Sequence, residues 1–217
     1  MPTLNAAGTL SATLAALGSE TVREIVIADG GSSDDTVTVA ETAGALVIQA
    51  KRGRGAQLIA GARSAGGKWL LFLHADCELE PGWSEAVAAF IAAPTAGRFA
   101  GYFDFALDDP DRAARRLEYI VAWRCRAFSL PYGDQGLLIS RSLYDAIGGF
   151  APLPLMEDVE LVRRLGRRRL APIGARAVSA ATRYRRDGYR RRTLRNLFCL
   201  ALYFAGVSPV RIARIYG

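Results

Sequence analysis

Two acidic residues follow short apolar runs, where a carboxylate could act on a bound ligand. Asp29 ends the run 24–28, and Asp76 follows the bulky run that begins at Trp69. In open α/β sheets ligands bind beyond the carboxyl ends of the strands. Position and chemistry therefore make both aspartates candidate site residues. A loop aspartate that caps the helix starting near Pro81 is the alternative for Asp76, and both interpretations stay open.

Glycines and small polar residues follow Asp29 in the turn GGSSDDT. Paired glycines let the backbone approach a ligand closely, and amides at a helix N-terminus favour phosphate or ribose oxygens. Alternatively, Ser32 or Ser33 caps the next helix, and Asp34 and Asp35 complement its dipole. That explanation gives no role to Asp29, which precedes the turn.

A basic turn, 51–57, reads KRGRGAQ and leads from a predicted strand into a helix. Its cations and two glycines suit an anionic ligand, although the spacing differs from that of a phosphate loop. A solvated basic turn is the alternative.

The elements that carry these residues alternate between strand and helix. Helix 8–17, strands 24–28 and 45–50, and the run from Trp69 predict an α/β fold whose central sheet is mostly parallel, with helices on both faces. The bulky run predicts a strand buried on both faces of that sheet. Further along, 101–107 and 137–140 predict strands, and 111–130 predicts a helix.

Composition limits the class of protein. The 217 residues are 51% hydrophobic, enough for one substantial core or one domain with a small appendage. The three cysteines are odd in number and widely spaced, which argues against a disulfide framework or zinc ribbon and favours a reducing cytosol. No signal-peptide pattern opens the sequence.

The net charge of +7 is unevenly distributed. Residues 1–140 carry 12 basic and 16 acidic side chains, whereas residues 141–217 carry 16 arginines and 5 acids. Such a basic region attracts polyanions of any kind, including phospholipid head groups, nucleic acid and phosphorylated substrates.

Two segments suggest a surface that meets a membrane. The apolar run 197–207 follows a cluster of arginines and is too short to span a bilayer. It is either a helix docked on the core or an interfacial helix touching anionic lipid. The basic amphipathic helix 111–130 is an ordinary surface helix or a second segment lying on a membrane.

Six segments occur in the order seen in family 2 glycosyltransferases of the GT-A fold, a Rossmann-like fold for nucleotide-diphospho-sugar transferases. The resemblance covers nearly the whole chain and is closest to the bacterial subgroup associated with radical-SAM and selenoprotein genes. The segments are PTLN near the start, ADGGSSDDT at 28–36, KRGRGAQ at 51–57, LLFLHAD at 70–76, GDQGLLISRSLYDAIGGF at 133–150 and MEDVELVRRL at 156–165.

The resemblance implies a site for a nucleotide-diphosphate sugar. Asp29 is implied to bind the base or ribose, and Asp34 shares its pocket. Lys51 and Arg54 are implied neighbours of the nucleotide. Asp76 matches the last acid of the family's metal-binding D-x-D motif, which holds a divalent cation against the donor's diphosphate.

The metal motif departs from the family pattern because His74 occupies its first position. Magnesium prefers oxygen ligands, whereas manganese tolerates imidazole, so Mn²⁺ and Mg²⁺ both stay candidates and metal dependence is open. A structural role under the nucleotide is the other interpretation of His74.

The resemblance also implies which residues lie on the acceptor side of the site. Asp134 and Gln135 are candidates to contact acceptor or donor sugar, with turn chemistry between two glycines as the alternative. Asp158 is implied to be the general base of an inverting hexosyltransferase-like enzyme. Its neighbour Glu157 is a further candidate to contact acceptor or donor sugar. Because adjacent helical residues point about 100° apart, only one of the two acids is expected to face the pocket directly.

A transferase domain is predicted over 1–180, with a basic and apolar helical extension over 181–217. The protein is expected in the cytoplasm, where an anionic inner membrane face is a candidate partner and nucleic acid is not expected. A sugar-phosphate nucleotidyltransferase and a non-enzymatic basic module binding nucleic acid or membrane are the competing functions. The family's first core strand is mostly absent before PTLN, so we expect either translation to start upstream of Met1, the interpretation we favour, or sheet edges to be uncovered.

Overall fold

The computed structural model describes residues 1–18 and 22–216, whose strands form two sheets. Three strands form a parallel sheet in the order β1-β2-β3, and five form a mixed sheet in the order β4-β7-β6-β8-β5. The strands are β1 (Pro2–Thr3), β2 (Val26–Asp29), β3 (Leu46–Gln49), β4 (Trp69–Phe72), β5 (Cys77–Leu79), β6 (Ala100–Leu107), β7 (Leu137–Ser140) and β8 (Leu170–Ser179).

Ten α-helices are described, and three short 3-10 turns lie between them at Ala96–Arg98, Gly133–Gln135 and Arg167–Arg169. The helices are α1 (Ala7–Leu17), α2 (Thr36–Thr42), α3 (Arg54–Ser64), α4 (Trp83–Ala92), α5 (Arg112–Phe128), α6 (Arg141–Ala146), α7 (Glu157–Leu165), α8 (Thr182–Asp187), α9 (Tyr189–Phe204) and α10 (Pro209–Tyr216). The sequence places the end of α1 at Gly18-Ser19; Ser19 lies outside the described residues.

The α/β fold with helices on both faces is confirmed. Parallel pairing is confined to β1-β2-β3 and to β6 with β8, while β4 with β7, β6 with β7 and β5 with β8 are antiparallel. The parallel surroundings predicted for β4 were wrong, because β4 is an edge strand whose one partner in the described sheet is antiparallel. A continuous apolar run is typical of strands in parallel sheets, but it does not by itself fix the direction of the neighbouring strand.

The core lies on both faces of the mixed sheet. On one face, α3, α5, α6 and α7 pack around residues such as Tyr102, Ile139 and Leu161. On the other, α4 packs through Trp83 against Leu73 and Phe103. These two layers fix the ends of β4, β7 and α7 relative to one another.

An apolar cavity of about 560 Å³ separates the two sheets. Met1, Ile25 and Val26 line it from the parallel sheet, and Leu71 and Trp83 line it from the mixed sheet. In the described sheets, β1 and β4 are edge strands, each with one neighbouring strand. Uncovered strand edges of this kind are one of the two outcomes expected from the sequence. An upstream translation start stays a prediction.

The C-terminal helices pack against the segment that leads into α7. Cys199 of α9 and Ile212 of α10 are fully buried against Leu155, Met156 and Val159. No helix in the described ranges is both long and apolar enough to cross a membrane. The predicted division at 180/181 stays a prediction.

Candidate active site

A small cavity lies where β4 ends, α7 begins and the turn before β7 passes between them. His74, Tyr132, Gly133, Glu157 and Asp158 line its polar side. Three segments far apart in the sequence thus meet here, and they bring the predicted residues His74, Glu157 and Asp158 to one place.

The turn before β7 holds the Asp158 carboxylate. The backbone N–H of Gly133 donates a hydrogen bond to Asp158 Oδ2 at 2.5 Å, and that of Val159 donates to Oδ1 at 2.7 Å. A Cβ added to Gly133 would lie 2.9 Å from His74 Nε2 and 3.0 Å from Asp158 Oδ2. Glycine at this position therefore lets the backbone amide reach the carboxylate. Asp158 keeps part of its surface exposed, so a ligand in the cavity can contact it.

Glu157 lies beside Asp158 in a different environment. Its side chain is 1% exposed, and neither carboxylate oxygen accepts a hydrogen bond from the described part of the chain. Burial, and then the negative charge of Asp158, raise the pKa of Glu157 to about 7. Both acids line the cavity, Glu157 from a buried position and Asp158 from a partly exposed one. That only one of the two faces a bound ligand stays a prediction.

His74 and Asp134 form an ion pair at the rim, with 3.5 Å between Nδ1 and Oδ1. Burial by itself lowers the pKa of His74, but contact with the Asp134 carboxylate raises it overall. Neighbouring protein atoms partly desolvate the Asp134 carboxyl, which by itself raises its pKa, yet His74, Arg54 and Arg183 hold that pKa well below its usual range. Because 58% of the side chain is exposed, solvent screens these charges, and the carboxylate can still meet a ligand.

Arg54 brings a positive charge to the same acids from the first turn of α3. Burial by itself lowers the pKa of Arg54, whereas the charges of Glu157, Asp134 and Asp158 contribute to raising it overall. An arginine facing several carboxylates keeps its charge and can meet an anionic ligand.

Gly55 fixes the position of Arg54. The Gly55 N–H donates to the Leu153 carbonyl at 3.0 Å. A Cβ at this position would lie 2.7 Å from both the nitrogen and the oxygen of Leu153, and closer still to the Ala151 carbonyl oxygen. The start of α3 can therefore lie against the 151–153 backbone only with glycine here.

Asp29 and Asp34 organise the turn between β2 and α2. Asp29 is fully buried and accepts hydrogen bonds from the Gly31 and Ser32 amides at 2.9 and 2.8 Å, and from the Ser32 and Thr3 hydroxyls. Asp34 accepts from the Thr36 hydroxyl and, at 3.1 Å, from the Ala7 amide. Their nucleotide-binding roles stay predictions, since the Asp29 carboxylate is occupied by donors of the protein.

Gln135 is buried in the turn before β7. Its Nε2 donates to the Phe103 carbonyl at 3.0 Å, and its Oε1 accepts from Arg124 and from the Tyr132 amide. These contacts agree with the turn-chemistry alternative. Lys51 is exposed between β3 and α3.

Gln57 is a positioning residue that ends the basic turn 51–57 and was not predicted as part of the site. Its Nε2 donates to the carbonyls of Thr3 at 2.7 Å and Ala28 at 2.9 Å, and its Oε1 accepts from the Gly53 amide at 3.3 Å. One buried amide thus joins the ends of β1 and β2 to the turn that carries Arg54. A polar residue inside an otherwise apolar helix face was the available signal.

Asp76 is partly buried beyond β4, and its carboxylate accepts no hydrogen bond from residues 1–18 and 22–216. Across those same ranges, no three His, Cys, Asp or Glu side chains are gathered closely enough to hold a metal by themselves. A magnesium ion that also binds phosphate needs only one or two protein carboxylates. The uncommitted oxygens of Asp76 fit that requirement.

The α/β fold places several acidic side chains where β4 ends and α7 begins, as in a ligand-binding site. Residues 1–154 match the family described as Glycosyl transferase family 2. That match covers more than half of the sequence, and the chain belongs to glycosyl transferase family 2.

Solved structures with a similar fold include glucosyl-3-phosphoglycerate synthase from Mycobacterium tuberculosis. Its complex with Mn²⁺, UDP-glucose and phosphoglyceric acid has a TM-score of 0.59 and 21% identity, covering 82% of this chain and 69% of that one. The structure described as a mycobacterial protein has a TM-score of 0.53 and 22% identity, covering 82% and 63%. Among curated proteins, none matches this chain significantly.

Proposed function

We propose that this protein transfers a hexosyl group from a nucleoside-diphosphate sugar to an acceptor hydroxyl, with inversion at the anomeric carbon. The observation that carries the proposal is the Asp158 carboxylate, partly exposed and held by the Gly133 amide at 2.5 Å beside His74 and Arg54. Family membership supports glycosyl transfer. Assignment to the subgroup associated with radical-SAM and selenoprotein genes stays a prediction.

Asp158 is proposed to act as the general base. It takes the proton of the acceptor hydroxyl while the acceptor oxygen forms a bond to the anomeric carbon. The bond between that carbon and the diphosphate oxygen breaks on the opposite side, and the nucleoside diphosphate leaves with the electron pair. Attack opposite to departure inverts the configuration.

Arg54 and Asp76 are proposed to bind the donor's diphosphate. Arg54 supplies positive charge directly, and Asp76 would hold a divalent cation, Mn²⁺ or Mg²⁺, against the phosphate oxygens. Such a cation neutralises charge that develops on a leaving diphosphate. The structurally similar glucosyl-3-phosphoglycerate synthase was crystallised in complex with Mn²⁺ and UDP-glucose, which supports this choice of probes.

Glu157 is proposed to hold a proton more readily than an exposed glutamate, because burial and the neighbouring Asp158 raise its pKa to about 7. Asp134 reaches the rim and is a candidate to contact the sugar.

The experiment that tests the proposal measures UDP release from UDP-glucose with Mn²⁺ and phosphoglyceric acid as the first acceptor, followed by NMR of the product's anomeric proton. Asp158→Asn should reduce turnover by about 10²-fold or more, while UDP-glucose affinity stays within about twofold. The matched control is Asp145→Asn, an exposed aspartate in α6. Equal turnover in both variants, or a product with retained configuration, would contradict the proposal.

A further inference from the structure

The outward faces of α5 and α9 expose large apolar side chains. On α5 these are Tyr119, Ile120, Trp123 and Phe128. On α9 they are Leu194, Leu197, Phe198 and Phe204. Single exposed apolar residues are ordinary, but rows at helical spacing on two helices form a patch that marks an interaction site.

The two rows meet at the end of α7. Trp123 and Phe128 pack edge to face with ring centroids 5.3 Å apart, and the Arg167 guanidinium lies 5.9 Å from the Phe128 ring. One turn earlier, the Arg163 guanidinium lies 5.3 Å from the Phe204 ring. The rows therefore belong to one surface, called the apolar-arginine surface below.

The charge of this surface is mainly positive. Helices α5 and α9 contain nine arginines and one acid, Glu118. Glu118 is paired with Arg115 at 2.8 Å, and Asp187 of α8 is paired with the buried Arg192 and with Arg195, so neither acid offsets the other arginines. Exposed arginines such as Arg116 and Arg190 border the apolar rows.

We propose that the apolar-arginine surface docks the protein on a bilayer that contains anionic phospholipid. Aromatic and aliphatic side chains enter the interface between head groups and acyl chains, and the arginines bind lipid phosphates. Nucleic acid phosphates would bind the arginines, but the exposed leucine and isoleucine side chains would then stay in contact with water. The inference is independent of the proposed function, because it uses none of the residues assigned to catalysis.

Vesicle co-sedimentation of the full chain tests the inference, comparing vesicles of phosphatidylcholine alone with vesicles that also contain phosphatidylglycerol. Binding should require phosphatidylglycerol and weaken as salt is added. Trp123→Ser and Phe198→Ser should each weaken binding about tenfold, which corresponds to about 1.4 kcal/mol. Arg116→Ser and Arg190→Ser should each weaken it about fivefold.

Matched controls lie on other parts of the fold. Leu46 in β3 is 51% exposed, close to 53% for Trp123 and 56% for Phe198, and Arg63 is exposed in α3. Leu46→Ser and Arg63→Ser should leave vesicle binding unchanged, and circular dichroism should show that every variant is folded.

Three results would overturn the inference. The first is no vesicle binding, or equal binding to both kinds of vesicle. The second is equal weakening by control and surface variants. The third is a soluble dimer that Trp123→Ser and Phe198→Ser dissociate without changing vesicle binding, which would assign the surface to a second copy of this chain.

Discussion

Asp158 and Glu157 are adjacent in the sequence, but their carboxylates have opposite surroundings. Asp158 is partly exposed and accepts two backbone hydrogen bonds. Glu157 is buried without a hydrogen-bond donor from the described residues, and burial raises its pKa to about 7. At the residue scale, the fold thus places a hydrogen-bonded, partly exposed carboxylate beside a buried one that has no donor.

Glu157→Gln tests this difference through the pH dependence of stability. The pKa of Glu157 is about 7 in the folded protein and about 4.5 in the unfolded chain. Between these values the folded state binds more protons, so its free energy of unfolding falls as pH rises, by at most about 1.4 kcal/mol per pH unit. Below pH 4.5 this loss is absent.

Urea unfolding of both proteins between pH 5 and pH 8 measures the effect. The wild-type protein should lose stability relative to Glu157→Gln up to about pH 7 and run parallel above it. Parallel profiles over the whole range would show that Glu157 is ionised in the folded protein.

Helix α3 is the element that relates the two sheets to the site. Its first turn carries Arg54, Gly55 lies against the backbone of 151–153, and Gln57 joins the ends of β1 and β2. The loop 151–153 leads directly into the segment that precedes α7. A change in the first turn of α3 should therefore shift the position of Asp158.

Gly55→Ala should destabilise the protein by about 1–3 kcal/mol or more, because the added methyl group meets backbone atoms that cannot rotate away. Gly8→Ala is the matched control: a Cβ at Gly8 in α1 meets nothing within 4 Å. It should be neutral or stabilise the helix by up to about 1 kcal/mol. Thermal unfolding compares the two, and similar midpoints would mean that α3 does not lie against 151–153.

Gln57→Ala should cost about 1–3 kcal/mol, since it removes two buried hydrogen bonds and one partly buried hydrogen bond. Gln49→Ala, at an exposed position of β3, should change stability by less than about 0.5 kcal/mol. Chemical denaturation measures both. A small effect of Gln57→Ala would argue against its role in joining β1 and β2.

At the scale of the whole molecule, an apolar cavity of about 560 Å³ lies between the two sheets. Met1 already pairs with β2, because its N–H donates to the Val26 carbonyl at 2.7 Å and its carbonyl accepts from the Ala28 amide at 2.9 Å. Residues added before Met1 in the same direction would pass Val26 and Ile25, which line the cavity.

An extension of four valine and isoleucine residues before Met1 should therefore fill part of the cavity and raise the unfolding temperature by about 4 °C or more. A glycine-serine extension of equal length is the control and should leave the unfolding temperature nearly unchanged. Equal midpoints for the two extensions would show that the cavity does not accept a strand.

The alternation of strands and helices was predicted from the sequence, because burial and helix starts are local signals. The prediction that the α7 acids share a site with the end of β4 came from the resemblance to family 2 glycosyltransferases and from no local signal. Strand β8 was missed, because its Pro172, Gly174 and Arg176 interrupt the apolar pattern. The sequence did not indicate that protein donors occupy the Asp29 carboxylate, nor that Gly55 is constrained by a loop almost a hundred residues away. Those features depend on contacts between distant segments, which no local pattern encodes.

The proposed site would bind a nucleoside diphosphate together with a divalent cation held by Asp76. Calorimetric titration with UDP and GDP, with and without Mn²⁺, tests it on the wild-type protein, Asp76→Ala and the control Asp145→Ala. We predict Mn²⁺-dependent binding of at least one nucleotide to wild type and control, and its loss in Asp76→Ala. Absence of binding by the folded wild-type protein, or equal binding by Asp76→Ala, would contradict the account.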